Sequence, residues 1–532
     1  MIETLASLAA QHGHTLVPTA SAFVAVGGAH LGASTVAKEL INWNPSNGSA
    51  DADLLPDLET LRVRSRDITR NNGIAAGIVQ TTHDNVVGTG PRLTAKPDYR
   101  ALGRNQNWAE EWSQITEARW RAYAETRECD ASWQLNFAAK CGEVFRAGMV
   151  NGEALALPLW LPWKGSTFNT RFQVIEADRL SNPFGRPDTE KMHGGIEIDR
   201  YGRPVAYHVR KTHPGDVFGF NVGMVGEWER IPSETEWGRA RVIHAHDKER
   251  TGSTRGKPIL SPVLAQFKMA DTYIRTEMQA AAVNAFIAAF METNLPPDHV
   301  AEMLGADPNS DQFQAFVNNQ SQFVAPLKGA AIIPTMPGTK ITPFAPGRPS
   351  EQFGPFIETV CRQIGVATGL PLELLLKDFS KTNYSSARAA LLEAYRFFLG
   401  RRKWLTDFWC NPVYGLWLEE QVNGGFIDAP DFYENMYAYS RCSWIWPGRG
   451  WIDPVKEITA AEKRMVIGIS TLERECAEQG DDWEEVQDQR AREHARLKKL
   501  GLPILQQPNI GTPPNKPAIA TEEEPEMEEV AQ

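Results

Sequence analysis

Two stretches of this chain read as helices too long to be folded back inside one small core. The first, "SPVLAQFKMADTYIRTEMQAAAVNAFIAAFMETN", begins at Ser261 and meets no breaker; about 30 residues of helix would be roughly 45 Å long. Ser261 is the expected N-cap, with Pro262 at the first helical position. Its latter half is dense in small residues (Ala280, Ala281, Ala282, Ala285, Ala288, Ala289), which let helix axes approach closely. Two packings remain open for such a rod: burial in the chain's own core, or contact with copies of itself. The second rod starts at 385 and places Leu391, Tyr395, Phe398, Leu405 and Trp409 on one face. Pro412 is expected to kink this helix or end it near Asn411, with the pattern resuming through "VYGLWLEEQV". Ahead of it lies a polar, basic loop carrying Lys377, Lys381, Asn383 and Tyr384, where Asn383, Ser385 or Ser386 could cap the helix. That loop reads either as a solvated connector or as a device presented to a ligand.

The chain has 532 residues, more than one hydrophobic core serves, so two or more substructures are expected. Its formal net charge is −11. Six glutamates in the last eleven residues (Glu522, Glu523, Glu524, Glu526, Glu528, Glu529) account for more than half of that charge. Even without them the balance is acidic, which argues against a wide surface that grips nucleic acid by neutralising phosphates. The six cysteines lie far apart, with no CxxC pair, a pattern of reduced thiols. The N-terminal residues lack the pattern of a secretory signal, and "ASAFVAVGGAHLGA" is too short to span a bilayer.

Residues 1–55, rich in Gly, Ala, Ser and Asn, read as a loosely ordered arm. A helical pattern then runs to Asn85, followed by the strand-like "VVGTGPRLTA". In "NWAEEWSQITEARWRAYAET", Trp108, Trp112, Ile115 and Trp120 fall near one face of an amphipathic helix. Strands are expected at "ALALPLW", "TRFQVIEAD" and "ARVIHAHDK", and a hairpin through Tyr201-Gly202. A strand pair is suggested by "GAAIIPTMPGTKITPF" and a helix by "SEQFGPFIETVCRQIGVATGL", ending near Gly369. From 454 the pattern gives two or three charged helices, then a Pro-rich, acidic, disordered end.

Catalytic motifs fail one by one. "GSTRGKP" mimics a phosphate loop at Gly252 and Gly256-Lys257, but the spacing is one residue short and Pro258 stands where a magnesium-binding hydroxyl is needed. His244 and His246 share a strand face beside Asp247 and Glu249, yet no further ligand is evident for a metal. Asp481, Asp482, Glu484 and Glu485 read as the solvated face of a helix. No Gly-x-Ser-x-Gly elbow occurs and no cysteine has an evident histidine partner.

Five blocks together resemble the portal proteins of lambda-type tailed phages: "NWNPSNGSADADLLP", "TRNNGIAAGIVQTTHDNVVG", "TRGKPILSPVLAQFKMADTY", "NYSSARAALLEAYRFFLGRRKW" and "GRGWIDPVKEITAAEKRMVIGISTLERECAEQGDDWEEV". They follow the family's order over most of residues 40–490. The resemblance implies a ring-forming α+β portal fold. Its parts would be a flexible arm at 1–55, a mixed α/β wing at 56–258, a stem helix at 259–291 and a clip at 292–350. A second stem helix would follow at 351–369, a channel loop at 370–384, a long kinked wing helix with its following segment at 385–453, a helical crown at 454–500 and a disordered acidic tail at 501–532. It further implies a head-tail connector at one capsid vertex of the virion, assembled in the host cytoplasm as a ring, usually of twelve copies. Double-stranded DNA would pass through it without sequence specificity during packaging and ejection. The implied partners are the terminase large subunit, capsid and scaffold proteins, and later the neck or head-completion proteins. No catalytic residue, metal, cofactor or membrane is implied. In such a ring Lys377, Lys381, Asn383 and Tyr384 would line the bore and touch phosphates, positioning DNA without reading it. The channel is expected to be mostly acidic, so that it does not hold its cargo. Rival readings are a minor capsid or structural assembly protein without a channel, and a DNA-processing enzyme such as a terminase subunit.

Overall fold

The computed structural model describes residues 30–35, 37–216, 226–291, 331–334, 353–450 and 453–503. Helix α1 (Ala50–Asn71) starts where the Ser49 hydroxyl accepts from the Ala52 amide, with Asp51 and Asp53 in its first turn. Residues 50–55, expected in the loose arm, are therefore the head of this helix. Asn72 ends α1 and caps α2 (Gly73–Val86), its side chain accepting from the Ile74 and Ala75 amides. The expected single helix is thus two, hinged at one asparagine.

Strand β1 (Arg92–Ala95) leads to α3 (Gln106–Ala124) and α4 (Phe137–Asn151). On α3, Trp112, Thr116, Trp120 and Tyr123 are buried, whereas Ile115 is 55% exposed. Ile115 sits roughly 100° from the centre of the buried face, so the expected face was rotated by one position. Next come β2 (Glu153–Trp160), β3 (Thr170–Ile175), β4 (Met192–His193), β5 (Ile196–Ile198), β6 (Pro204–Arg210), β7 (Trp228–Pro232) and β8 (Ile243–His246). They make two antiparallel sheets, one in the order β3-β2-β8 and one in the order β4-β5-β6-β7. The Tyr201-Gly202 hairpin joins β5 to β6 as the sequence suggests, with Gly202 at φ 79°.

The first long rod is shorter than expected. The Ser261 hydroxyl donates back to the Pro258 carbonyl at 2.7 Å, and Ser261–Val263 forms a 3-10 turn, so Ser261 does not cap the helix. Helix α5 (Leu264–Phe286) then gives way to β9 (Ile287–Met291), which pairs in parallel with β10 (Ala331–Pro334). The apolar end of the expected helix thus satisfies its backbone through a strand partner about 40 residues away, a pairing that local periodicity cannot register. The second strand expected within 329–344, and most of the expected clip, lie outside the described residues.

Helix α6 (Phe353–Thr368) ends at Gly369, φ 75°, and a short α7 (Leu372–Leu376) follows. Helix α8 (Tyr384–Leu405) passes through a π-helical turn, Thr406–Cys410, directly into α9 (Asn411–Asn423). Pro412 neither ends nor visibly breaks the run. Its ring would crowd the carbonyl four residues back in an α-helix; the wider turn, in which the Asn411 amide donates to Thr406 O, relieves that crowding. A short helix, α10 (Met436–Tyr439), and β11 (Cys442–Ile445), antiparallel to β1, close the body. Helices α11 (Pro454–Val466), α12 (Leu472–Gln479) and α13 (Trp483–Leu500) come last.

The core is aromatic. Trp120 meets Phe137, Tyr414, Trp417 and Trp444 edge-on, with ring centroids 5.0, 5.8, 5.1 and 5.7 Å away, tying α3, α4, α9 and β11 together. Trp409, Tyr414 and Trp417 are essentially inaccessible, which explains why the second rod resumes past Pro412.

Candidate functional site

The polar loop between α7 and α8 is the candidate. Lys377 ends α7 in the left-handed region at φ 54°, its amide donating to Glu373 O, and its exposed ammonium has no ion-pair partner among the described residues. Asp378 accepts from the Ser380 amide at 2.9 Å, and its hydrogen bonds to Ser380 hold its carboxyl below the usual range. The Thr382 hydroxyl donates to Phe379 O at 3.0 Å, so the loop is folded by its own short polar side chains. Lys381 donates to Glu358 Oε2 of α6 at 3.1 Å, although its side chain remains 74% exposed. Asn383 Oδ1 accepts from the Ser386 amide at 2.8 Å: it is the cap of α8, not a free ligand. Tyr384 is half exposed and lies under the Lys456 ammonium of α11, 5.8 Å from the ring centroid.

The four residues named from sequence therefore share one exposed loop but hold different posts. Lys377 has no ion-pair partner among the described residues, Lys381 and Tyr384 tether the loop to α6 and α11, and Asn383 starts the helix. Two further exposed side chains complete the surface: Phe379 on the loop, and Arg388 one turn into α8 beneath Tyr384. An i, i+4 spacing from Tyr384 could have flagged Arg388 in the sequence.

The rejected motifs have structural posts. In "GSTRGKP", Arg255 is buried and donates through Nε to both oxygens of Glu153 at 2.9 Å, while the Gly256 amide points at the same carboxylate from 3.3 Å. Arg62 Nη2 reaches Glu153 Oε1 at 2.6 Å, and His244 Nε2 lies 3.0 Å from Oε2. Burial alone would push the Glu153 carboxyl up, but Arg255 and Arg62 hold it well below the usual range. The two guanidiniums also donate to Asn151 O, Leu180 O and Ala177 O, so one carboxylate joins α1, α4, β2, β8 and the turn after β3. Backbones approach closely here. Gly152 adopts φ 90°, and a Cβ on it would overlap the backbone of Gly256 and Lys257. His246 stacks on His244 with centroids 4.3 Å apart, and burial, aided by His244, depresses it to about 3. Asp247 is taken by Arg401 and Glu249 by Lys257. His244 thus pairs with Glu153, Asp247 with Arg401 and Glu249 with Lys257, while His246 stacks on His244 without an ion-pair partner among the described residues.

At the C-terminal helices, Glu485 accepts from Arg92 and lies 3.2 Å from Arg121, and Glu473 pairs with Lys96. Beneath this junction Glu117 accepts from the Ala95 amide at 2.8 Å; burial pushes its carboxyl up to about 7, and Asp482 adds to that. Among the described residues, no helix is long and apolar enough to cross a membrane.

Comparison with known proteins gives these likenesses. Residues 37–402 match the model of the family described as "Phage portal protein, lambda family". Portal protein B of Escherichia phage lambda is 31% identical over 489 residues, spanning 89% of this chain and 91% of that protein. The portal protein of Escherichia phage N15 is 32% identical over the same shares. Among solved structures, a chain of the neck of a native gene transfer agent particle computed with C12 symmetry is 12% identical, with a TM-score of 0.42, over 80% of this chain and 93% of that one.

Proposed function

The chain belongs to the lambda family of phage portal proteins, and from that premise we propose that identical copies close into a ring whose bore conducts double-stranded DNA. A portal-vertex role and a place in the virion follow from the family; the ring's size, the bore and the docking of partners are the proposal. In it twelve copies enclose the channel, the terminase large subunit docks during packaging in the host cytoplasm, and neck or head-completion proteins replace it afterwards. Capsid and scaffold proteins surround the ring. The α/β body (α1 to β8) is the wing, α5 and α6 are the stem, residues 292–350 are the clip, α8 with α9 is the long wing helix, and α11–α13 are the crown.

The observation that carries this reading is the loop at the head of α8. It stands exposed at the end of a helical run from 384 to 423 that is itself anchored by buried tryptophans. A rod held at one end presents its other end at a fixed radius. In a ring, the loops then form a constriction where Lys377 and Lys381 meet phosphates, while Asn383 and Tyr384 keep the loop's shape. With an acidic chain overall, few basic positions keep the grip weak enough for transit.

Electron microscopy of the purified protein tests the ring: annuli with a hole of duplex width are expected, and solid clusters or monomers alone would favour a minor capsid protein without a channel. Replacing Lys377 and Lys381 together by alanine tests the loop. Ring formation is expected to persist while packaged DNA length or retention falls. Normal genome content in such particles removes the loop from the bore.

A further inference from the structure

The last helix is divided in charge. Its first half holds Glu484, Glu485 and Asp488; its second half holds Arg490, Arg492, Arg496, Lys498 and Lys499 against the single carboxylate of Glu493. All five cations are exposed and have no ion-pair partner among the described residues. Arg492, Arg496 and Lys499 recur at i, i+4 and i+7 and so share one face. Seven residues before Arg492 the same face carries Glu485, which Arg92 and Arg121 of the body engage. The helix is thus fastened through its acidic half, and its basic half runs on without an ion-pair partner among the described residues. Cations in a last turn serve the helix dipole. That accounts for Lys498 and Lys499, but Arg490 and Arg492 lie two turns from the end, where the dipole's influence has faded.

The complement to this face is in the same chain. After Lys516 there is no further lysine or arginine, and Glu522, Glu523, Glu524, Glu526, Glu528 and Glu529 follow. We infer that residues 522–529 dock on the basic face of α13 in their own chain, formed by Arg492, Arg496 and Lys499, and withhold it from other polyanions. The connection is long enough. Residues 504–521 include Pro508, Pro513, Pro514 and Pro517, and an extended Pro-rich segment of that length reaches about 55 Å at about 3.1 Å per residue. The basic stretch, 490 to 499, spans only about 15 Å of helix. Closing such a loop costs little more than closing a shorter one, while six carboxylates against three cations give a salt-sensitive contact.

Two measurements on the full-length protein test this. Zero-length carbodiimide coupling of a one-to-one mixture of ¹⁴N- and ¹⁵N-labelled chains should join Lys498 or Lys499 to the 522–529 peptide, with both halves bearing the same label. Absence of the cross-link, or mixed-label pairs, overturns docking within one chain. Second, a short labelled DNA duplex at low salt serves as the competing polyanion. Changing all six glutamates to glutamine should tighten its binding roughly tenfold. In an Arg492→Gln, Arg496→Gln, Lys499→Gln background that gain should vanish. Unchanged binding on removing the acids, or a gain that survives loss of the basic face, overturns the inference. All substituted residues are exposed or lie past the last helix, so folding is not at stake.

Discussion

The α/β body and the three C-terminal helices handle charge in opposite ways. The body buries it: Arg62, Glu153 and Arg255 are each less than 5% exposed, and every one is paired. In the C-terminal helices no residue from 453 to 503 is buried, Val455, Ile458, Val466, Ile467 and Ile469 are more than half exposed, and the ion pairs Arg92–Glu485 and Lys96–Glu473 that join them to the body are open to water. A buried ion pair is weak evidence of net stability, because desolvation offsets its attraction, yet losing one partner is costly. An exposed pair is worth little either way. The body is therefore committed to one arrangement. The C-terminal helices are docked lightly and leave an apolar surface that only another surface can cover.

Glu153→Gln should break the comparison most sharply. It strands two guanidiniums, and the body should lose roughly 3–5 kcal/mol, read as a lower denaturant midpoint. Because the Glu153 carboxyl is held below its unfolded value, its contribution is complete above the ordinary carboxylate range and disappears only as pH falls through the depressed value. Glu117 has the opposite sign. Raised from 4.5 to about 7, it contributes most below about pH 4.5, and stability should fall as pH rises through about 7, by on the order of 3 kcal/mol. A thermal midpoint that drops between pH 5 and 8 in the parent and stays level in Glu117→Gln would place that titration at the junction; equal profiles would remove it. The smallest effect belongs to Arg92→Gln with Lys96→Gln. Their side chains are about half exposed, so the loss should be at most about 1 kcal/mol. It should appear as faster hydrogen exchange in α11–α13, mimicked in the parent by high salt, with protection of β2 and β8 unchanged.

What the sequence made legible was local. The Tyr201-Gly202 turn, the end of α6 at Gly369 and the Asn383 cap all depend on a few neighbouring residues, and each stands where those residues put it. The candidate loop was legible for the same reason. Hidden features depend on distance along the chain. Glu153 meets Arg62 and Arg255 across 91 and 102 residues, and nothing near Arg255 distinguishes a buried anchor from a failed phosphate loop. The strand Ile287–Met291 was masked by an alanine-rich helical pattern because its partner lies beyond 330. The tethers from Lys381 to Glu358 and from Tyr384 to Lys456 were hidden likewise.

The π turn at 406–410 has one further consequence. Such a turn holds a surplus amino acid relative to α geometry while the flanking segments keep their facing. Shortening the chain by one inside it would let the rod revert to ordinary pitch with Tyr414 and Trp417 still aimed inward, at the expense of a kink at Pro412. The same deletion two turns earlier would swing every later side chain by roughly 100° and tear the indoles from their seats. The rod carries its own slack, and it keeps that slack beside the proline that needs it.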